Sequence, residues 1–182
     1  MGKVFDAIDD KIRQRVEHQK MFFVATAPLS GDGLVNCSPK GMDSFRILGP
    51  TTVAYLDLTG SGVETIAHLK ENGRICVMFC AFDGGPKIMR FHGQGAVHEL
   101  GSAEYEKLAP QFEEIAGARA IIVVDVKRIS DSCGWGVPLY DYKEDRQTLR
   151  LASEKEGPDG MSAYREKNNR QSLDGLVGYE SN

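Results

Sequence analysis

Thr59-Gly60-Ser61-Gly62-Val63-Glu64-Thr65-Ile66-Ala67-His68-Leu69-Lys70-Glu71-Asn72 follows directly on an apolar run, Val53-Ala54-Tyr55-Leu56-Asp57-Leu58. The run reads as a strand, the glycines on either side of Ser61 as a turn, and the remainder as a helix that Gly73 ends. A strand that delivers a glycine-rich turn into a helix start gathers free backbone N–H groups and the positive end of the helix dipole at one point, a setting that holds an anion such as a phosphate. The same residues also spell a capping box, with Ser61 as N-cap and Glu64 reaching back, and that reading requires no ligand. Both readings stand on these residues alone.

On the N-terminal side, Val4, Ile8, Ile12 and Val16 recur every four residues, which predicts an amphipathic helix over about Phe5 to Gln19. Met21 to Ala27 reads as a buried strand, and Leu34 to Cys37 as its hairpin partner across the Pro28–Gly33 turn. Ser38-Pro39-Lys40-Gly41 then predicts a bend that exposes Ser38 and Lys40, since proline removes a ladder donor. Ser44 to Leu48 is a third strand and Thr52 to Leu58 the fourth. On the C-terminal side, Arg74 to Phe82 and Lys87 to Leu100 are strands five and six. A helical segment over Ser102 to Ile115 and a last strand over Ala120 to Val126 follow.

Short, turn-linked strands with one inserted helix and flanking helices predict a mainly β (α+β) barrel of about six or seven antiparallel strands rather than a repeating βαβ array. From Ser130 the texture changes. A Gly, Pro and aromatic segment, Ser132 to Tyr142, carries the only Trp, and a polar tail follows with helical stretches near Arg146–Glu156 and Asp159–Asn169. The expected organisation is a barrel over 1–130 and an extension over 131–182 that lies across the barrel or a partner subunit.

The composition of the 182 residues, 41% hydrophobic and 26% charged, is that of an ordinary globular protein with a full core. A net charge of −4 argues against nucleic-acid binding but leaves room for a small anionic ligand held by a few cations. No apolar run is long enough to span a membrane, and Met1-Gly2-Lys3-Val4-Phe5-Asp6 has neither a signal-peptide core nor the Ser or Thr of a myristoylation motif at Asp6, so a cytoplasmic protein is expected. Cys37, Cys76, Cys80 and Cys133 form no C-x-x-C pair and read as reduced, structural thiols. The four histidines show no metal spacing.

Chemistry therefore rests on cations and on a cofactor. Lys40 in the bend, Arg46 among Phe45, Ile47 and Leu48, and Arg90 between Met89 and Phe91 are the candidates to balance a phosphate. For Arg46 and Arg90 the plain alternative is the polar face of an alternating strand. Ser61, Thr65 and backbone N–H groups would face the ligand while Glu64 turns away from it. No nucleophile–base constellation and no G-x-S-x-G elbow is present, so a bound cofactor would carry any reaction.

Phe22-Phe23-Val24-Ala25-Thr26-Ala27, Val35-Asn36-Cys37-Ser38-Pro39-Lys40-Gly41, Ala54 to Gly62 with Glu64-Thr65, Glu71-Asn72-Gly73-Arg74-Ile75, Met89-Arg90-Phe91-His92-Gly93 and Cys133-Gly134-x-Gly136-Val137-Pro138-x-Tyr140 together resemble the pyridoxamine 5'-phosphate oxidase-like family, in particular its branch of FMN-binding oxidase-related proteins. The resemblance implies a Greek-key split β-barrel that forms a homodimer with two FMN sites at the interface. It implies that Val35, Asn36, Cys37 and Ser38 line the flavin ring, and that Lys40, Ser61, Gly62, Glu64 and Thr65 surround the ribityl-phosphate. Arg90 and His92 contribute from the sixth strand. Val63 stands where the branch often has Asn, and the family's classical phosphate signature of Arg and Lys after a Ser is missing, so vitamin B6 oxidation is not carried over. The expected function is flavin-mediated electron transfer on a small substrate. The alternatives are a non-catalytic flavin carrier or sensor, or a barrel using haem or a deazaflavin.

Overall fold

The computed structural model describes residues 2–181; Met1, which opens the N-terminal reading, and Asn182, which ends the predicted extension, lie outside it. In chain order the elements are β1 (Val4–Phe5), α1 (Asp10–His18), β2 (Phe22–Thr26), β3 (Asn36–Lys40), β4 (Phe45–Gly49), β5 (Thr52–Leu58) and α2 (Glu64–Asn72). They continue with β6 (Arg74–Cys80), β7 (Ile88–Glu99), α3 (Ala103–Leu108) with a following 3-10 turn, β8 (Ala118–Ser132) and α4 (Thr148–Asn168). The strands make one antiparallel sheet in the order β3-β2-β6-β7-β8-β5-β4, with β1 added on β8. β6, β7 and β8 are successive neighbours, and β5, which reaches β6 through α2, lies beside β8. That is a Greek key. The expected split β-barrel is the observed architecture.

Alternation along the strands fills the interior. Phe22 and Val24 from β2, Val77 and Phe79 from β6, Phe91 from β7, and Ile122 and Val124 from β8 are all buried on one face. Ile12 and Val16 of α1 close one side of this core and Ile66 and Leu69 of α2 another. At its centre Phe79 packs on Phe22, Phe45 and Phe91, with ring centroids 5.4, 4.9 and 6.0 Å away. A second cluster, Ala54, Leu56, Ile121, Tyr105 and Ile115, lies on the other face of β5 and β8, under α3.

Three local expectations are corrected. α1 starts at Asp10 rather than near Phe5, because Asp9 caps it by accepting from the Ile12 N–H at 2.8 Å and Phe5 pairs with Ile129 in the sheet. Ser38–Gly41 is not a bend: β3 runs on through Pro39 to Lys40, since β3 is a sheet edge and an edge strand tolerates the missing N–H. The chain turns afterwards, where Met42 and Asp43 take left-handed conformations. The Ser61 capping box does not form: Val63 is the N-cap of α2 and no side chain caps it.

The C-terminal tail forms the two expected helical stretches, joined as α4 across a kink at Gly157 (φ 68°) and Pro158. Residues beyond α4 fold back along α2, from Glu64 at its start to Lys70 in its last turn. The Tyr179 N–H donates to the Asn169 carbonyl, and the Lys70 ammonium donates to the Gly178 carbonyl. Gly178 has to be glycine, because a Cβ there would collide with the Asn169 carbonyl oxygen and with the Val63 methyls. None of the helices among the described residues is long and apolar enough to cross a membrane. Phe79→Ala removes the ring that joins the other three and is expected to cost about 3–5 kcal/mol of stability, read from urea unfolding.

Candidate functional site

β3 presents its residues alternately to two faces, and this divides the predicted site. Asn36, Ser38 and Lys40 point inward from β3, while Cys37 points outward beside Ala25. On the inner side a polar cluster joins β2, β3 and α2. Asn36 Nδ2 donates to Thr65 Oγ1 at 2.9 Å and to Thr26 Oγ1 at 3.2 Å, and Ser38 Oγ donates to Asn36 Oδ1 at 2.8 Å. Thr26 Oγ1 also lies 3.0 Å from His68 Nδ1. His68 is fully buried, and burial lowers its pKa, which favours the neutral ring.

Beside this cluster runs a chain of charge. The Asp57 carboxylate is fully buried; its Oδ1 accepts from Lys40 Nζ at 2.8 Å and its Oδ2 from Arg119 Nε at 2.7 Å. Burial alone would raise the pKa of Asp57, but the Lys40 and Arg119 charges overcome it and bring it down to about 2. Arg119 Nη1 donates onward to Asn169 Oδ1 at 2.9 Å, and Asn169 Nδ2 donates to the Gly60 carbonyl at 3.0 Å. The tail thus fastens the glycine turn through a buried asparagine. Two cations on one carboxylate leave this corner with a surplus of one positive charge.

The turn carries an opposing charge. Glu64 folds back over Gly62, where any Cβ would strike Glu64 Oε2, and its Oε1 accepts from the Leu173 N–H at 3.2 Å. Asp174 reaches across to accept from the Leu34 N–H at 2.9 Å. Ser61 is exposed and Gly62 half-buried in the turn itself.

The remaining predicted residues lie elsewhere. Cys37, Ala25, Cys76 and His92 form one row on the outer face of the sheet through the registers of β3, β2, β6 and β7. Arg90 lies on the same face and donates to Ser132 Oγ at 2.9 Å. Burial, Arg90 and Arg128 lower the pKa of His92. Val35 is exposed ahead of β3. Arg46 joins neither group: its guanidinium donates to the carbonyls of Asp43, Phe45 and Gln111 and to the Asp43 carboxylate, and it stacks over Phe112.

Sequence reasoning missed Thr26, Asp57, His68, Arg119 and Asn169. Asp57 and Arg119 did leave a signal, since each is a charged residue at the end of an apolar strand run and such charges need partners.

Residues 8–133 match the pyridoxamine 5'-phosphate oxidase family, and that span holds β3, the turn and β7. The chain belongs to this family. Across 97% of its length it is 39% identical to a pyridoxamine 5'-phosphate oxidase family protein, ustO, of Aspergillus flavus, covering 78% of that protein. Its fold is similar to that of HupZ from Group A Streptococcus (TM-score 0.53, 22% identity, 69% of this chain and 99% of that one). It is also similar to that of the FAD binding protein from Mycobacterium smegmatis (TM-score 0.51, 11% identity, 71% and 98%).

Asp57→Ala leaves two cations without their shared counter-charge and is expected to cost about 3–5 kcal/mol. Because the folded-state pKa of about 2 lies below the ordinary 3.8, Asp57 stabilises the fold above pH 4. That contribution, roughly 2 kcal/mol, is lost as the pH falls from about 4 to 2. Denaturant midpoints should decline through this window in the wild type, with a shallower decline in Asp57→Asn.

Proposed function

We propose that this chain binds FMN and serves as a flavin-dependent oxidoreductase acting on a small molecule, as a cytoplasmic homodimer. The observation that carries the reading is the inner corner itself. A glycine turn, the Asn36–Ser38–Thr65 cluster and a buried surplus of positive charge meet within the span that matches the family. Thr59 Oγ1, at the start of that turn, is buried without a hydrogen-bond partner, as expected of a group that a ligand would engage. The residues fit a flavin phosphate, with Lys40 and Arg119 supplying charge and Ser38, Thr65 and the turn supplying hydrogen bonds.

The flavin, when bound, would supply the electron-transfer chemistry. The chain's own residues would bind and orient it, and the neutral His68 would hold Thr26 and through it Asn36. Asn36 and Ser38 face inward while Cys37, Arg90 and His92 face outward, so one copy cannot present both sets to one ligand. A second copy, laying its outer face beside the first copy's β3, would unite them, and this supports the dimeric reading. Half-buried Phe23, Cys76 and Met78 on that face supply the apolar surface for it. A fold neighbour named as a FAD binding protein agrees with a flavin ligand.

The test is FMN titration of the apoprotein followed by flavin fluorescence, with reduction of the bound flavin by NADH or NADPH as the readout of turnover. Thr65→Val and Lys40→Met are each expected to weaken FMN binding about ten-fold or more, as loss of a buried polar or charged contact does. Glu64→Gln keeps the bond to Leu173 and removes the charge over the turn, so it should bind FMN several-fold more tightly, about 0.5–1 kcal/mol for a half-screened charge. A protein that retains no FMN, or whose affinity ignores all three changes, refutes the assignment.

A further inference from the structure

A second site lies on the far side of β5 and β8 from the polar corner. Between α3, the 112–118 loop and α4 is a cavity of about 780 Å³, lined by Leu56, Leu100, Tyr105, Phe112 and Met161 and entered by Arg165. This is the size of pocket that encloses a small organic ligand.

Arg165 is the feature that needs explanation. It is only 6% exposed, and its Nε is buried without a hydrogen-bond partner. Among the described residues no carboxylate pairs with it. Its guanidinium lies over the ring of Tyr179, whose centroid is 5.4 Å from the guanidinium carbon. A cation–π contact contributes about 0.5–2 kcal/mol, whereas a buried donor left without a partner costs about 1–3 kcal/mol, so Tyr179 offsets only part of the cost of burying Nε. A buried arginine in this state calls for an anion, and the cavity it lines is where one would sit.

The rest of the lining narrows the chemistry. Leu56, Leu100, Phe112 and Met161 ask for an apolar body, and Tyr105, itself 7% exposed, adds an aromatic wall. The mouth carries Glu106, Glu113, Glu114 and Glu154, all exposed, of which Glu113 pairs with Arg150. These carboxylates disfavour any anion at the opening, a dianion or polyanion more than a monoanion, while one buried arginine balances one negative charge. We infer that the cavity is a binding site for a monocarboxylate with an aromatic or aliphatic body, its carboxylate on Arg165 and its apolar part against Leu56, Phe112 and Met161. The inference is independent of the flavin reading, because Leu56 faces this cavity while Tyr55 and Asp57 face the barrel interior.

The probe is phenylbutyrate, titrated calorimetrically into the full-length protein, with phenylbutyramide and inorganic phosphate as controls. Saturable binding of phenylbutyrate is expected, with neither control competing. Arg165→Met should weaken it about ten-fold or more, the loss of a charge-assisted hydrogen bond. Ala109→Phe, which adds bulk to the half-buried lining and leaves Arg165 in place, should also weaken binding while the protein still unfolds in a single cooperative thermal transition. Ala109→Phe decides the matter if Arg165→Met fails to fold. The inference is overturned if the wild type does not bind phenylbutyrate, if the amide binds equally well, or if a folded variant of either kind binds as the wild type does.

Discussion

One carboxylate, Asp57, is held out of water at the end of β5, with Lys40 on one oxygen and Arg119 on the other. Three parts of the chain depend on it. Lys40 closes the edge strand β3, Arg119 opens the long strand β8, and through Asn169 the tail is tied to the Gly60 carbonyl. A buried ion pair of this kind adds little net stability over an apolar filling of the same shape, because desolvation offsets most of the attraction. Its value is specificity: the two cations are satisfied only when β3, β8 and the tail meet at one point. The barrel corner that carries the family resemblance is assembled by that requirement.

The tail gives the start of α2 a character that the helix would not have alone. A bare glycine turn before a helix attracts anions. Here Glu64 lies over the turn and bonds the Leu173 N–H, and Asp174 bonds the Leu34 N–H, so two acidic side chains join the tail to the walls around the turn. The positive surplus of the Lys40–Asp57–Arg119 group and the negative charge of Glu64 face each other across a few residues. An anionic ligand at this corner would be held by the first and discouraged by the second, and the balance sets its affinity. On the opposite side of β5 and β8, α4 brings a different cation, Arg165, into a cavity with apolar walls and glutamates in its lining, and among the described residues no carboxylate pairs with it. The tail therefore shapes a charged corner on one side of the sheet and a cavity on the other.

Much of the architecture was legible because it follows from short-range chemistry. Alternation of apolar residues marked β2 and the strands from β4 to β7, and β5 agrees to the residue from Thr52 to Leu58. Gly73 ends α2 in the left-handed conformation that glycine favours there. Asn36, Ser38 and Thr65 were named as site residues, and the fold brings them within hydrogen-bond reach of one another. The failures have non-local causes. Pro39 reads as a strand breaker unless the strand is an edge. Ser61 and Glu64 read as a cap unless a remote backbone N–H, that of Leu173, competes for the glutamate. Arg46 and Arg119 look alike in sequence, each an arginine in an apolar run, and only one of them meets a buried carboxylate.

The sequence by itself determined most of the strands and helices and carried the resemblance to the pyridoxamine 5'-phosphate oxidase family. These rest on periodicity, on glycine and proline stereochemistry, and on residue order, all of which act over a few neighbours. The tertiary structure alone decided which charges are paired. Asp57 meets Arg119 across 62 residues and Arg119 meets Asn169 across 50. It also decided which face of β3 looks inward, separating Asn36 and Ser38 from Cys37, and which buried arginine is left without a counter-charge. Pairing depends on distances through space between segments far apart in the chain, and no local pattern encodes them.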